Sequence, residues 1–205
     1  ESSARLLEAR VRVRPTNTGL FVLDRAASTD ETRLLLGKPT PFVGRELELG
    51  SLETTLASCI EDAATRVVLV LAEAGSGKSR LRHELLRRVQ SRQPAPRVLI
   101  GYGDPMSSGS AYGMLRQALR GFYGLLEGED DSVARNKIES HLPSALAPFI
   151  GELCGAPFPD DADARLRIAR QDPTIMAERL HDAFVDFIAH ESARCPVLLV
   201  LEDLQ

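Results

Sequence analysis

The sequence predicts an α/β fold, a three-layer arrangement in which helices flank both faces of a parallel sheet, with a small N-terminal remnant of another domain in front. Three observations carry this expectation. Val67–Leu71 and Val197–Leu201 are continuous runs of valine and leucine, the pattern of strands buried on both faces. Between them the chain reads strand, helix, strand, helices, strand, an order that calls for crossover connections and parallel pairing. A glycine-rich turn, "AEAGSGKS" at 72–79, joins the first run to a helix.

Composition narrows the class. The 205 residues are 43% hydrophobic and 26% charged, enough for one substantial core with a small appendage. The longest apolar run, Val67–Ala72, is far too short to span a bilayer, and "ESSARLLEARVRVR" lacks the order of a signal peptide. A cytoplasmic protein without a membrane partner is expected. A net charge of −4 argues against a generic nucleic-acid binder. Cys59, Cys154 and Cys195 are widely spaced and unaccompanied by paired histidines, so they are expected to be reduced and mostly buried. The chain begins without methionine and stops at "VLLVLEDLQ", which suggests a piece of a longer polypeptide.

Residues 4–25 read as a short helix, "ARLLEA", and two strands, "RVRVRP" and "GLFVLDR", about a turn at 16–19. Residues 26–41 are expected to be a linker, with a short helix around Glu31–Leu36. Leu49, Leu52, Leu56 and Cys59/Ile60 recur at helical spacing, so a helix covers about Glu46–Ile60. After the strand at 67–71, Ser79–Val89 is helical, with Leu81, Leu85, Leu86 and Val89 on one stripe. "RVLIGYG" (97–103) is the second strand, "DPMSSGSAYG" a loop, and Met114–Leu126 a helix. Residues 131–171 form short helices with turns at Pro143, Pro148 and Pro157/Pro159. Asp172-Pro173 starts a further helix, an N-cap followed by proline at the first helical position. Its apolar face is Ile175/Met176, Leu180, Phe184 and Phe187/Ile188. The third strand follows Cys195-Pro196.

The turn at 72–79 has the residues a triphosphate requires. Gly75 and Gly77 let the backbone curl so that successive N–H groups converge, and Gly77 keeps a side chain away from the phosphates. Lys78 reaches the β and γ phosphates in such loops, the Ser79 hydroxyl holds Mg²⁺, and the helix start directs partial positive charge at the anion. The candidate cofactor-binding stretch is therefore Ala72, Glu73, Ala74, Gly75, Ser76, Gly77, Lys78, Ser79 and Arg80. Ala72 stands where the usual pattern has glycine; at the strand exit it is tolerated if its φ is negative. The relaxed pattern arises by chance in about one chain of this length in a hundred, and a strand before it with a helix after it makes coincidence rarer.

A second signal is Glu202-Asp203 at the end of the last strand. Acidic residues there position a metal and orient the attacking water in phosphate-loop enzymes. Position assigns Glu202 the metal role and Asp203 the water role, the reverse of many such enzymes. The arginines at 80, 82, 87, 88 and 92 read as a solvated helix face, the four histidines carry no visible pairing, and Asp104, just past the second strand, reads as facing the nucleotide side of the sheet or equally as a loop cap.

With these residues in hand, Pro39–Gln205 resembles the STAND branch of AAA-like P-loop NTPases. The likeness rests on "FVGRE" (42–46), "AEAGSGKSRL", "GDPMSSGSAYGMLRQAL" and "PVLLVLEDLQ" in that order. It is strongest to the ATPase module of large bacterial signalling proteins, in which a Ser/Thr kinase or nucleotide-cyclase-like domain precedes and helical repeats follow. The resemblance implies ATP or ADP and Mg²⁺ as ligands, other domains of the same polypeptide as partners, and oligomerisation on activation. It also puts Val43, Gly44 and Arg45 near the adenine. Residues 1–25 resemble the tail of a cyclase-like domain, 26–41 a linker, and 42–205 the N-terminal part of the ATPase domain. Ala111 stands where the family commonly has proline.

The resemblance implies a sheet order of 2-3-1-4-5 whose last two strands lie after the metal strand, so the fold is expected to be truncated there and the phosphate-loop strand to be an exposed edge. The expected function is a Mg²⁺-dependent ATPase switch, and the fragment itself is expected to bind ATP but hydrolyse it poorly. The alternative is a non-hydrolysing nucleotide-binding scaffold that regulates an attached kinase or cyclase domain.

Overall fold

A computed structural model describes residues 42–103 and 111–204, together with the backbone of short strands at 12–15, 21–24, 34–35 and 38–39. The chain divides into two compact units, residues 1–91 and 92–205.

In the first unit, β1 (Arg12–Pro15) pairs antiparallel with β2 (Phe21–Asp24), with Val13 opposite Leu23. β3 (Leu34–Leu35) and β4 (Lys38–Pro39) form a second, minimal antiparallel pair. The helix expected around 31–36 is therefore corrected at 34–35, where the backbone is paired as a strand instead; the rest of that stretch lies outside the described residues. The helix expected at 4–9 lies outside the described residues.

Among the described residues of this unit, two helices follow. α1 (Glu46–Glu61) carries Glu46 and Glu48 in its first turn, where they complement the partial positive charge of the helix start. α2 (Lys78–Gln90) carries Arg87 and Arg88 in its last turn, the matching arrangement at the other end. Leu49 of α1 and Leu81, Leu86 and Val89 of α2 are buried, and Arg88 bonds Glu53 across the helix pair at 3.1 Å.

The apolar run at 67–71 forms no strand. Val67 is 93% and Leu71 81% exposed, although a strand buried on both faces was expected. A strand exists through its ladder partner, and among the described residues none pairs with this run. Apolar, β-branched composition describes what fits a sheet and supplies no neighbour. The expected edge strand is corrected with it.

The second unit is built on a parallel pair, β5 (Arg97–Tyr102) beside β6 (Val197–Glu202), in register Arg97 to Val197 through Tyr102 to Glu202. α3 (Gly113–Tyr123) lies on β5, and its approach is close: a Cβ on Gly101 would fall 2.5 Å from the Met114 carbonyl oxygen. α3 stops at Gly124, whose φ of +61° suits glycine, three residues before the expected end.

α4 (Asp131–Glu139), α5 (Ala147–Cys154), α6 (Ala164–Ala169) and α7 (Pro173–Ser192) complete a helical layer. Aspartate caps three of these helices, Asp130 to the Ser132 N–H, Asp163 to Arg165 and Asp172 to Thr174, each at 2.7–2.8 Å. The caps satisfy donors that a helix start leaves without an internal partner. Pro148 sits in the first turn of α5, where its missing N–H costs nothing, and marks no turn of its own.

Leu99, Leu119, Ile138, Ile150, Leu153, Leu166 and Phe187 are fully buried at the centre of this layer. Phe187 meets Phe122 edge to face, with ring centroids 5.6 Å apart. Glu191, one turn along α7, is fully buried and pairs with Arg97 at the start of β5, whose guanidinium also lies over the Phe122 ring. That charge pair ties the longest helix to the sheet. Cys154 is buried, which pushes its thiol up to about 12, whereas Cys59 and Cys195 are half-buried. No helix among the described residues is long and apolar enough to cross a membrane.

Two outcomes test this packing. Phe187→Ala should destabilise the protein by about 3–5 kcal/mol, read as a lowered denaturation midpoint. A second test concerns Glu84, buried on α2, where hydrogen bonds from Arg87 and Arg88 outweigh desolvation and hold its carboxyl at about 2. A depressed carboxyl stabilises the fold above its ordinary value of 4.5 and loses that contribution as pH falls towards about 2. Glu84→Gln should therefore be less stable than wild type at pH 7, with the gap closing between pH 4.5 and 2 in acid denaturation.

Candidate nucleotide site

The segment 42–46 enters the first unit through Gly44, whose φ of +80° requires the freedom of glycine and whose N–H donates to Glu46 Oε1 at 3.1 Å. Arg45 is the N-cap of α1; its carbonyl accepts the Leu49 N–H at 3.1 Å. Its side chain crosses to the glycine-rich turn, where Nη2 donates to the Ser76 carbonyl at 2.5 Å. Val43 is 74% exposed. The structure thus brings Arg45 of the "FVGRE" segment against the turn.

The turn itself is shaped by two left-handed glycines, Gly75 at φ +78° and Gly77 at φ +90°, with nothing within 4 Å of the place a Cβ would occupy on either. Gly77 is the N-cap of α2 and its carbonyl receives the Leu81 N–H at 3.0 Å. Among the described residues only Ala63 and Asp203 combine a side chain with positive φ, so Ala72 keeps an ordinary backbone. Lys78 folds over the turn and donates to the carbonyls of Ala72 at 2.7 Å and Glu73 at 3.0 Å. Ser79 is exposed, and Ala74 with it. Arg80 is half-buried and engaged in contacts of its own. The Ser76 hydroxyl is buried without a protein partner, an acceptor and donor inside the turn that the fold does not use.

Beside the turn lies a groove of ≈ 490 Å³, lined by α1 residues from Arg45 to Leu52, by Val68–Leu71 and by Leu81. Its size is in the range of small-ligand sites, and its lining is mostly apolar with Arg45, Glu48 and Ser51 as polar members.

Glu202 and Asp203 belong to the second unit. β6 ends at Glu202, which is half-buried and engaged, and Asp203 follows it, exposed, at φ +54°. Two bonds pin the neighbouring end of β5. The Gly103 N–H donates to the Glu202 carbonyl at 2.7 Å, and the Tyr102 N–H to Gln117 Oε1 at 2.6 Å. A Cβ on Gly103 would sit 1.8 Å from the Asp203 carbonyl oxygen, so only glycine allows the two strand ends to close together.

Sequence reasoning missed Gly103, Gln117 and Glu84. Gly103 carried a visible signal, since a glycine at a strand end beside another strand's carboxylates suggests close backbone approach. Gln117 and Glu84 carried none, because their roles depend on which helix face meets which neighbour. The residues present suit a nucleotide and its metal. The turn has an open cradle and an unused buried hydroxyl, and the exposed Ser79 hydroxyl is an oxygen donor of the kind Mg²⁺ prefers.

The turn between 202 and 204 yields one test. Gly103→Ala must displace the Asp203 backbone, and a loss of about 1–3 kcal/mol in unfolding free energy is the expected cost; an unchanged melting temperature would contradict the close approach.

Comparison with known proteins adds one positive finding. Residues 41–205 match a family model described as an AAA ATPase domain. No curated protein and no solved structure gives a match.

Proposed function

The chain belongs to the AAA ATPase domain family, and from that premise we propose that it binds ATP at the turn 72–79 and acts as a Mg²⁺-dependent ATPase switch. Membership supplies the general activity, nucleotide binding by an α/β ATPase module. The observation that carries the particular site is the pair of left-handed glycines at 75 and 77 leading into α2 with Lys78 folded over them. That conformation leaves the N–H groups at the start of α2 without intrahelical partners and adds the positive end of the helix.

Each residue has a role in this reading. The N–H groups of 75–79 bind phosphate oxygens. Lys78 exchanges the Ala72 and Glu73 carbonyls for the β and γ phosphates, since its ammonium has three donors and no acceptor. Ser79 and Glu202 are the residues that would hold Mg²⁺, and the ion would supply charge neutralisation at the phosphates. Asp203 orients the attacking water, and Val43, Gly44 and the groove beside Arg45 receive the base.

The wider setting is proposed on the resemblance. Residues 42–205 form part of an ATPase module of the STAND type, 26–41 a linker, and 1–25 the tail of a preceding cyclase-like domain in a bacterial signalling protein. Exchange of ATP and ADP then regulates the other domains, with oligomerisation of the active form.

Binding and turnover separate this reading from that of a scaffold which binds without hydrolysing. Lys78→Ala should weaken ATP binding at least about tenfold by titration calorimetry. In the full-length polypeptide, Glu202→Gln and Asp203→Asn should leave ATP bound and lower phosphate release by about a hundredfold. ATP binding without phosphate release by the full-length wild-type polypeptide would favour the scaffold, and binding untouched by Lys78→Ala would refute the site.

A further inference from the structure

We propose that Arg45 is a positioning residue for phosphate recognition, turning the Ser76–Gly77 peptide so that the Gly77 N–H faces the phosphates. The inference rests on the reading of 72–79 as a nucleotide site and assigns Arg45 a different target there from the base.

The side chain of Arg45 leaves the N-cap of α1 and donates Nη2 to the Ser76 carbonyl at 2.5 Å, 31 residues away and partly buried. A trans peptide points its C=O and its N–H in opposite directions. Holding the Ser76 oxygen towards α1 therefore directs the Gly77 N–H to the other side of that peptide plane. Gly77 is the N-cap of α2, so this N–H is one of those a helix start leaves for an outside acceptor.

A left-handed glycine on each side of Ser76 makes the orientation a matter of choice. Gly75 and Gly77 are at φ +78° and +90°, and a Cβ at either would meet nothing within 4 Å, so no side-chain packing locks the intervening peptides. A flipped Ser76–Gly77 peptide would present a carbonyl oxygen where phosphate binds, and like partial charges would repel. Lys78 occupies the carbonyls of Ala72 and Glu73, and Arg45 occupies that of Ser76. Both cations lose part of the freedom of their side chains to hold acceptors that would otherwise be able to turn inward.

The two possible targets of Arg45 are separated by a probe without a base. Binding of ATP, GTP and inorganic tripolyphosphate to the 205-residue chain and to its variants would be measured by titration calorimetry. Arg45→Ala should weaken ATP and tripolyphosphate by the same factor, about tenfold for one charge-assisted hydrogen bond, with the ratio of ATP to GTP affinity unchanged. Arg45→Lys, which keeps a cationic donor, should recover part of the loss. Weakened ATP binding with tripolyphosphate untouched would overturn the proposal in favour of the base. Parallel loss of binding and of helical circular dichroism in both variants would overturn it in favour of a purely structural role. Tripolyphosphate binding that survives Lys78→Ala would instead remove the nucleotide site on which the proposal stands.

Discussion

The direction of a few backbone amides is the constraint on which the candidate site depends. Gly75 and Gly77 adopt left-handed φ values that a side chain would resist, and α2 begins immediately after them. Everything functional at this end follows from that geometry. The helix start provides N–H groups and partial positive charge, Lys78 is placed to fold back over the turn, and Ser79 falls on the first turn of the helix. Arg45 reaches the same backbone from α1, so the "FVGRE" segment and the glycine-rich turn act as one structure although they are separated in sequence.

The second unit shows the same economy around its carboxylates. Parallel pairing of β5 with β6 sets Tyr102 beside Glu202, and Gly103 lets the backbone after Glu202 come within van der Waals reach. The helical layer then fixes the sheet: α3 presses on Gly101, and Glu191 of α7 is buried in an ion pair with Arg97 at the opposite end of β5. A buried carboxylate is costly when alone, so this pair makes the docking of α7 depend on the position of the strand. The glycine-rich turn and the paired strand ends are thus each shaped by glycine, but by different means: conformation at 75 and 77, and space at 103.

Much of this was legible in the sequence. The periodicity of Leu49, Leu52 and Leu56 foretold α1, Asp172-Pro173 foretold the start of α7, and the run before Glu202 foretold β6. These are local signals, written by caps and by the helical period. The run at 67–71 misled because composition identifies a segment that can join a sheet, whereas a strand needs a partner in register. Leu34–Leu35 misled for the opposite reason, since a two-residue bridge is set by its reversal and not by its own propensity. Glu84 and Glu191 carry no local signal of burial in the sequence and are buried. Their arginine partners were visible as residues, but the pairing appears only when Arg87 and Arg88 share a face with Glu84 and Arg97 meets α7 in space.

The most direct test of the central claim, that the turn is a phosphate cradle, is a titration followed by amide chemical shifts. As ATP is added to ¹⁵N-labelled protein, the Gly75, Gly77 and Lys78 amides should move together, saturably, with the same dissociation constant found by calorimetry. Tripolyphosphate should move the same three amides. Saturable binding of ATP that leaves the Gly77 and Lys78 amides in place would contradict the account.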